Sequence, residues 1–153
     1  MSTDRIILHA SIADNFLAIM KAGISTMPAI SPPPPTVVSS SSKSRLASLV
    51  SDAISKGADY NDAGNHKHPK EIPSSAGALF APTVIGNITE KMALWHEEAF
   101  GPLVGCVVAQ TEDEAVDIAN GTEYGLSAAV FTQDLRKGLA IARRLESGLV
   151  DSR

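Results

Sequence analysis

Apolar positions along this chain change their spacing from segment to segment, and the changes mark its predicted elements. Arg5-Ile6-Ile7-Leu8-His9 is a short, β-branched, nearly continuous apolar run, the pattern of a strand buried on both faces. A helix is predicted next, with Ser11 as N-cap and Asp14 in a capping-box position. Its apolar stripe is Ile12, Phe16, Ile19 and Met20, and Gly23 sits where a left-handed C-terminal residue belongs. A second helix is expected from about Lys43 to Lys56, because Leu46, Leu49, Val50, Ala53 and Ile54 recur at helical spacing before Gly57. Between the two lies a Pro/Ser-rich connection over 31–42. Its Pro32–Pro35 run favours polyproline II, and its serines Ser39–Ser42 form a flexible polar stretch.

From Gly77 onward the pattern sharpens. Ala78–Ala81 and Thr83–Ile85 are extended segments broken by Pro82, and Met92–His96 fits one helical turn. Leu103–Ala109 is a strongly apolar strand. Thr111 and Glu114 form a capping box opening a helix that Gly121 stops. Ala128–Thr132 is another strand, followed by a helix capped by Asp134 with Leu135, Leu139, Ala142 and Leu145 inward. Gly148 ends that helix, and Leu149-Val150 starts a last strand. Strands alternating with amphipathic helices predict an α/β fold with a largely parallel sheet and flanking helices.

The chain's 153 residues suit one modest domain or one piece of a larger one. With 44% hydrophobic and 20% charged residues, a wholly disordered chain is excluded. The net charge is −4 and the 13 Lys and Arg are scattered, so no basic face exists for nucleic acid. No apolar run approaches the roughly eighteen residues that cross a bilayer, and Met1–Arg5 carries no secretory leader. These features predict no nucleic-acid or membrane partner and a cytoplasmic protein.

Candidate chemistry is sparse. A polar loop is expected over 59–75, where His66, His68, Asp59, Asp62 and Glu71 raise the question of a metal. No compact scaffold fixes them, so a solvated loop without metal is the reading taken. The proline run could dock on a proline-reading domain, yet no arginine flanks it; a surface connection is the plainer reading. Cys106, the single cysteine, lies mid-strand without a cation or helix N-terminus to favour its thiolate. It reads as core filling, and neither a disulfide nor a thiolate zinc site is open to it. Phosphate-binding glycine loops and the Gly-x-Ser-x-Gly turn are absent from the sequence. Glu97-Glu98-Ala99-Phe100-Gly101-Pro102 stands out: two carboxylates, an aromatic and a Gly-Pro turn directly before a buried strand. Taken alone, it is a loop anchored by its Phe with glutamates facing water.

Read together with Asn120-Gly121-Thr122-Glu123-Tyr124-Gly125-Leu126-Ser127-Ala128-Ala129-Val130-Phe131-Thr132, that segment resembles the catalytic domain of NAD(P)-dependent aldehyde dehydrogenases. The tail Ala142–Val150 and the opening Ser2–Leu8 are similar to the same family, the opening somewhat more to its aromatic-aldehyde branch. The resemblance implies a partial catalytic domain over 1–150, interrupted at 31–42 and 59–75, with a divergent tail at 151–153. It assigns Glu98 to the nicotinamide-ribose hydroxyls, a task suited to a carboxylate that accepts from two vicinal donors. It also places Phe100 beside the nicotinamide of NAD or NADP. Tyr124-Gly125-Leu126 belongs to the scaffold.

In this family a cysteine thiolate attacks a small aldehyde substrate, hydride passes to the nicotinamide, and a glutamate activates water to hydrolyse the thioester while an asparagine holds the oxyanion. The resemblance puts that nucleophile immediately before Met1, with the base, the asparagine and the dinucleotide-binding domain further upstream. Beyond the tail, the family continues with a glycine-rich segment and a strand used in oligomer contacts. The expectation is therefore a truncated family member, inactive alone, with no catalytic residue of its own. The alternative is a non-catalytic module docking onto intact dehydrogenase subunits or a proline-reading domain. A start codon within a longer frame explains why the first strand begins at once. Mapping the transcript's 5′ end is expected to reveal upstream coding sequence with a cysteine codon next to Met1; a message starting just before Met1, or stops in the upstream frame, would remove that explanation.

Overall fold

The computed structural model describes residues 3–30, 36–63 and 77–152. The elements are β1 (Arg5–His9), α1 (Ala10–Ile30), α2 (Ser40–Ser55), β2 (Asp59–Asp62), β3 (Thr83–Gly86), α3 (Ala93–His96), β4 (Leu103–Ala109), α4 (Glu112–Asn120), β5 (Ala128–Val130), α5 (Leu135–Ala142) and β6 (Val150–Ser152). The fold is α/β, as predicted. A four-stranded sheet has the order β1-β4-β3-β2, and β5 pairs with β6 in a separate two-stranded sheet. Pairing is parallel between β3 and β4 and between β5 and β6, whereas β2 runs antiparallel to β3. Contacts divide the chain into one unit of residues 1–6 and 11–107 and another of 7–10 and 108–153.

In the first unit, α2 lays Leu46, Leu49, Val50 and Ala53 into the core, the face its periodicity predicted. It starts at Ser40 rather than Lys43, so the expected connection over 31–42 is shorter at its C-terminal end. Ser39, in extended backbone, accepts a hydrogen bond from the Ser42 N–H at 3.1 Å, so the serine run caps and enters the helix. Pro32–Pro35 lie outside the described residues. Helix α1 begins one residue before the predicted cap and runs through Gly23 to Ile30. A glycine costs a helix interior only about 1 kcal/mol. Here Ile24 buries the next turn, and the Ser25 and Thr26 hydroxyls donate to the Ala22 and Gly23 carbonyls. The buried face of α1 is centred on Ala13 and Ile24, while Ile12 and Ile19 of the predicted stripe are exposed.

The polar loop expected over 59–75 also needs correction, because residues 59–62 form β2. Tertiary pairing overrides a composition poor in strand formers. The partner β3 is buried throughout, and the Asp59 carboxylate accepts from Asn87 Nδ2 at 2.6 Å while Tyr60 donates to Asp62 at 2.8 Å. His66, His68 and Glu71 lie outside the described residues. Among those described, no group of three His, Cys, Asp or Glu side chains gathers to hold a metal ion. No described helix is long and apolar enough to cross a membrane.

In the second unit, Thr111 Oγ1 accepts from Glu114 N at 3.1 Å and caps α4. The Glu114 carboxylate turns back to the Gln110 N–H, one residue short of a full capping box. Asp134 caps α5 by accepting from Arg136 N and Lys137 N. The predicted inward face of α5 is only partly inward: Leu135 and Leu139 are exposed and Gly138 is buried. The reason is close approach. A Cβ at Gly138 would stand 2.8 Å from Ser152 Oγ, so the glycine side packs on β6 and turns the two leucines outward. Asp151 and Ser152, expected in a divergent tail, belong to that strand.

The two edges of the larger sheet differ. Charged and amide side chains blunt β2, whereas β1 presents an apolar strand at the opposite edge. The second unit adds exposed Leu126, Phe131 and Leu149. The purified chain is therefore expected to dimerise or aggregate in light-scattering measurements. A monomeric mass at high concentration together with a sharp cooperative melt counts against that expectation.

Candidate functional site

The segment Glu97–Pro102 spans the turn from α3 into β4, and three separate stretches of the first unit fix it. The Asp4 Oδ1 atom accepts from the Ala99 N–H at 3.0 Å. From α2, Arg45 donates through Nη1 to the Glu98 carbonyl at 3.1 Å and through Nη2 to the Ala99 carbonyl. The same guanidinium lies 3.7 Å from the Glu97 carboxylate, an exposed pair of small energetic weight. Beyond the turn, Thr83 N donates to the Pro102 carbonyl at 2.8 Å and so joins the segment to β3.

Ala99, only 1% exposed, is the anchor of this loop, and Phe100 is not. The Phe100 ring is 70% exposed, and its backbone adopts φ 50°, a left-handed conformation that non-glycine residues rarely hold. Space at Gly101 is tight: a Cβ there would stand 2.5 Å from Cδ1 of fully buried Leu46, so that side chain would have to shift to admit one. The Glu98 side chain is half-buried, and its carboxylate has no hydrogen-bond or ion-pair partner among the described residues. A carboxylate and an aromatic ring thus flank one buried, pinned residue. That pair offers a carboxylate acceptor and an exposed ring, the chemistry that a ribose diol and a planar ring call for.

The sequence reading missed Arg45 and Asp4. They lie far from residues 97–102 along the chain, Arg45 beside an apolar helix stripe and Asp4 before a strand, and no spacing signal links them to the loop. Further stiffening comes from α3, whose Ala93 N–H donates to Asp52 of α2 at 2.8 Å. Hydrogen bonds from Lys56 and from that N–H hold the Asp52 carboxyl below the usual aspartate range. Arg5 stacks its guanidinium 4.4 Å from the centroid of the Trp95 ring.

Cys106 is 1% exposed in the middle of β4. Desolvation pushes its thiol up to about 11, so almost no thiolate exists near neutrality. The cavity of about 310 Å³ between α1 and the β2–β3 ladder is lined by Lys21, Asp59, Tyr60 and Asn61 among others, and neither Glu98, Phe100 nor Cys106 reaches it.

The sequence pattern of the aldehyde dehydrogenase family matches residues 1–152. The chain is 34% identical over 154 aligned residues to vanillin dehydrogenase of Pseudomonas fluorescens, covering 97% of this chain and 30% of that protein. It is 36% identical to a benzaldehyde dehydrogenase of Bacillus subtilis, covering 98% and 30% respectively. Among solved structures, a double mutant of betaine aldehyde dehydrogenase from Staphylococcus aureus in complex with NAD+ superposes with a TM-score of 0.82. That structure is 31% identical, and the match covers 97% of this chain and 30% of that one. The chain therefore spans about 30% of the length of the curated relatives it matches.

Because its thiol is buried and protonated, Cys106 should resist iodoacetamide in the native chain at pH 7.5 and react quickly once the chain is unfolded in guanidinium. Stability should also fall as pH rises from the ordinary thiol value of 9.0 toward about 11, since the unfolded state releases its proton first. Rapid native alkylation would contradict the burial.

Proposed function

This chain belongs to the aldehyde dehydrogenase family, and on that premise we propose that it is part of an enzyme oxidising an aldehyde to a carboxylic acid with NAD or NADP. The bound dinucleotide supplies the hydride acceptor. Glu98 accepts hydrogen bonds from the nicotinamide-ribose hydroxyls, and Phe100 packs against the nicotinamide to hold its orientation. The observation carrying this reading is the fixed presentation of both side chains from either side of Ala99. An aromatic aldehyde is the substrate class we favour, supported by the similarity of the opening and by the names of the vanillin and benzaldehyde relatives.

The chain by itself is inactive in this proposal. Attack on an aldehyde carbon needs a thiolate that can reach it, and the single thiol is buried and protonated in β4. A second reading, association with intact dehydrogenase subunits, draws support from the exposed Leu126, Phe131, Leu135 and Leu149 of the second unit. Exposed large apolar side chains, where they adjoin, form interaction surfaces.

With benzaldehyde or vanillin and either dinucleotide, the purified chain should generate no NADH or NADPH above a heat-treated control. Turnover abolished by Cys106→Ser would overturn the structural assignment of that cysteine. Binding is separable from turnover: nicotinamide mononucleotide, carrying the ribose diol and the ring, should perturb the amide resonances of residues 98–101, and Glu98→Gln should weaken the effect.

A further inference from the structure

We propose that Arg45 is a positioning residue for the nicotinamide end of the site, holding Glu98 and Phe100 in register through the two carbonyls between them. The proposal rests on the reading of Glu98 and Phe100 given above. Ala99 is the only residue separating the two, so the peptide planes on its two sides set their Cα–Cβ directions. Both planes are clamped. The peptide joining Glu98 to Ala99 donates its N–H to Asp4 and accepts at its carbonyl from Arg45 Nη1; the peptide joining Ala99 to Phe100 accepts from Arg45 Nη2.

The choice of residue follows from this geometry. Two successive carbonyls need two donors of fixed separation, which the planar guanidinium supplies and an ammonium does not. The clamp also explains the backbone at Phe100. A non-glycine residue at φ 50° costs on the order of 1–3 kcal/mol and persists only where its surroundings over-determine it. On one side stands the clamped peptide, and on the other Gly101 sits where a Cβ would meet buried Leu46, so relaxing Phe100 disturbs the clamp or that packing. Arg45 and Leu46 are adjacent in α2, so a single helix turn sets both ends of the strained residue. Beside this clamp the Phe100 ring stays 70% exposed.

The test uses the purified 153-residue chain with Arg45→Met, which keeps length and loses both donors, and Arg45→Lys, which keeps charge and can serve one carbonyl at a time. Hydrogen exchange at the Ala99 amide reads the clamp, and nicotinamide mononucleotide titration followed at residues 98–101 reads the site. Arg45→Met is expected to speed Ala99 exchange at least about tenfold, the loss anticipated for hydrogen bonds to a charged donor. It should weaken nicotinamide mononucleotide binding by a similar factor, with Arg45→Lys intermediate in both. Unchanged exchange and unchanged resonances in Arg45→Met overturn the positioning role. Faster exchange with unchanged binding shows a clamp without a role in the site and overturns the positioning role, whereas a wild-type chain whose residues 98–101 give no response to nicotinamide mononucleotide overturns the assignment of Glu98 and Phe100. If Arg45→Met fails to fold, Arg45→Lys decides: wild-type exchange and wild-type binding in that variant overturn the need for a two-donor fork.

Discussion

Helix α2 is the element on which the first unit depends, and its contact with Gly101 is the tightest constraint there. Leu46 has no exposed surface, and a Cβ at position 101 would displace its Cδ1. One residue earlier, Arg45 reaches the carbonyls of Glu98 and Ala99; two turns later, Asp52 accepts from the first N–H of α3. A single helix therefore holds α3 at its first residue and the connection from α3 to β4 at its middle and its end. Burial of Leu49, Val50 and Ala53 keeps that helix in place. Burial of this kind supplies most of a helix's stability in a folded chain.

The elements legible in the sequence were those whose apolar pattern and local capping agree. Strand β4 appears at its predicted bounds, α2 buries its predicted face, and Thr111 and Asp134 cap their helices as their side chains suggest. Two of the failures share one cause, namely long-range packing overruling a local signal. Gly23 does not stop α1 because Ile24 is buried on the next turn. The Asp59–Asp62 segment becomes a strand through pairing with buried β3, although its own composition argues for a loop. In the candidate site, Glu98 and Phe100 stand in a motif that the sequence displays. Arg45 and Asp4 were not, because a positioning hydrogen bond to a backbone carbonyl or amide imposes no local spacing that a reader could detect.

In the second unit, two motifs distant in sequence turn out to serve one junction. Asn120 donates through Nδ2 to the Arg144 carbonyl at 2.9 Å and accepts at Oδ1 from the Glu146 N–H at 2.9 Å, so one amide side chain clips the tail segment on both sides of Leu145. Gly125 continues the junction: its carbonyl accepts from Gly148 N at 2.8 Å, and a Cβ there would stand 2.8 Å from the Glu146 carbonyl oxygen. A backbone atom cannot move aside as a flexible side chain can. The Asn-Gly and Tyr-Gly-Leu segments and the Glu-Ser-Gly-Leu tail are thus recognisable together because they are complementary halves of a backbone contact. The contact gives both motifs a structural role in the second unit.

A reactive atom and a reactive site are different things, and Cys106 and Glu98 show how the same fold separates them. The thiol is potentially the strongest nucleophile in the chain, yet burial in β4 keeps it protonated and out of reach. A carboxylate on a surface loop has little intrinsic reactivity, but a fixed backbone can give it a defined direction. Loops ordinarily trade precision for mobility. Here the precision comes from pinning the one buried residue, Ala99, and letting its two neighbours project. Preorganisation of that kind lowers the ordering cost of binding a ligand. The left-handed backbone at Phe100 belongs to the same division of labour, for it accompanies a ring that stands 70% exposed beside the one buried residue.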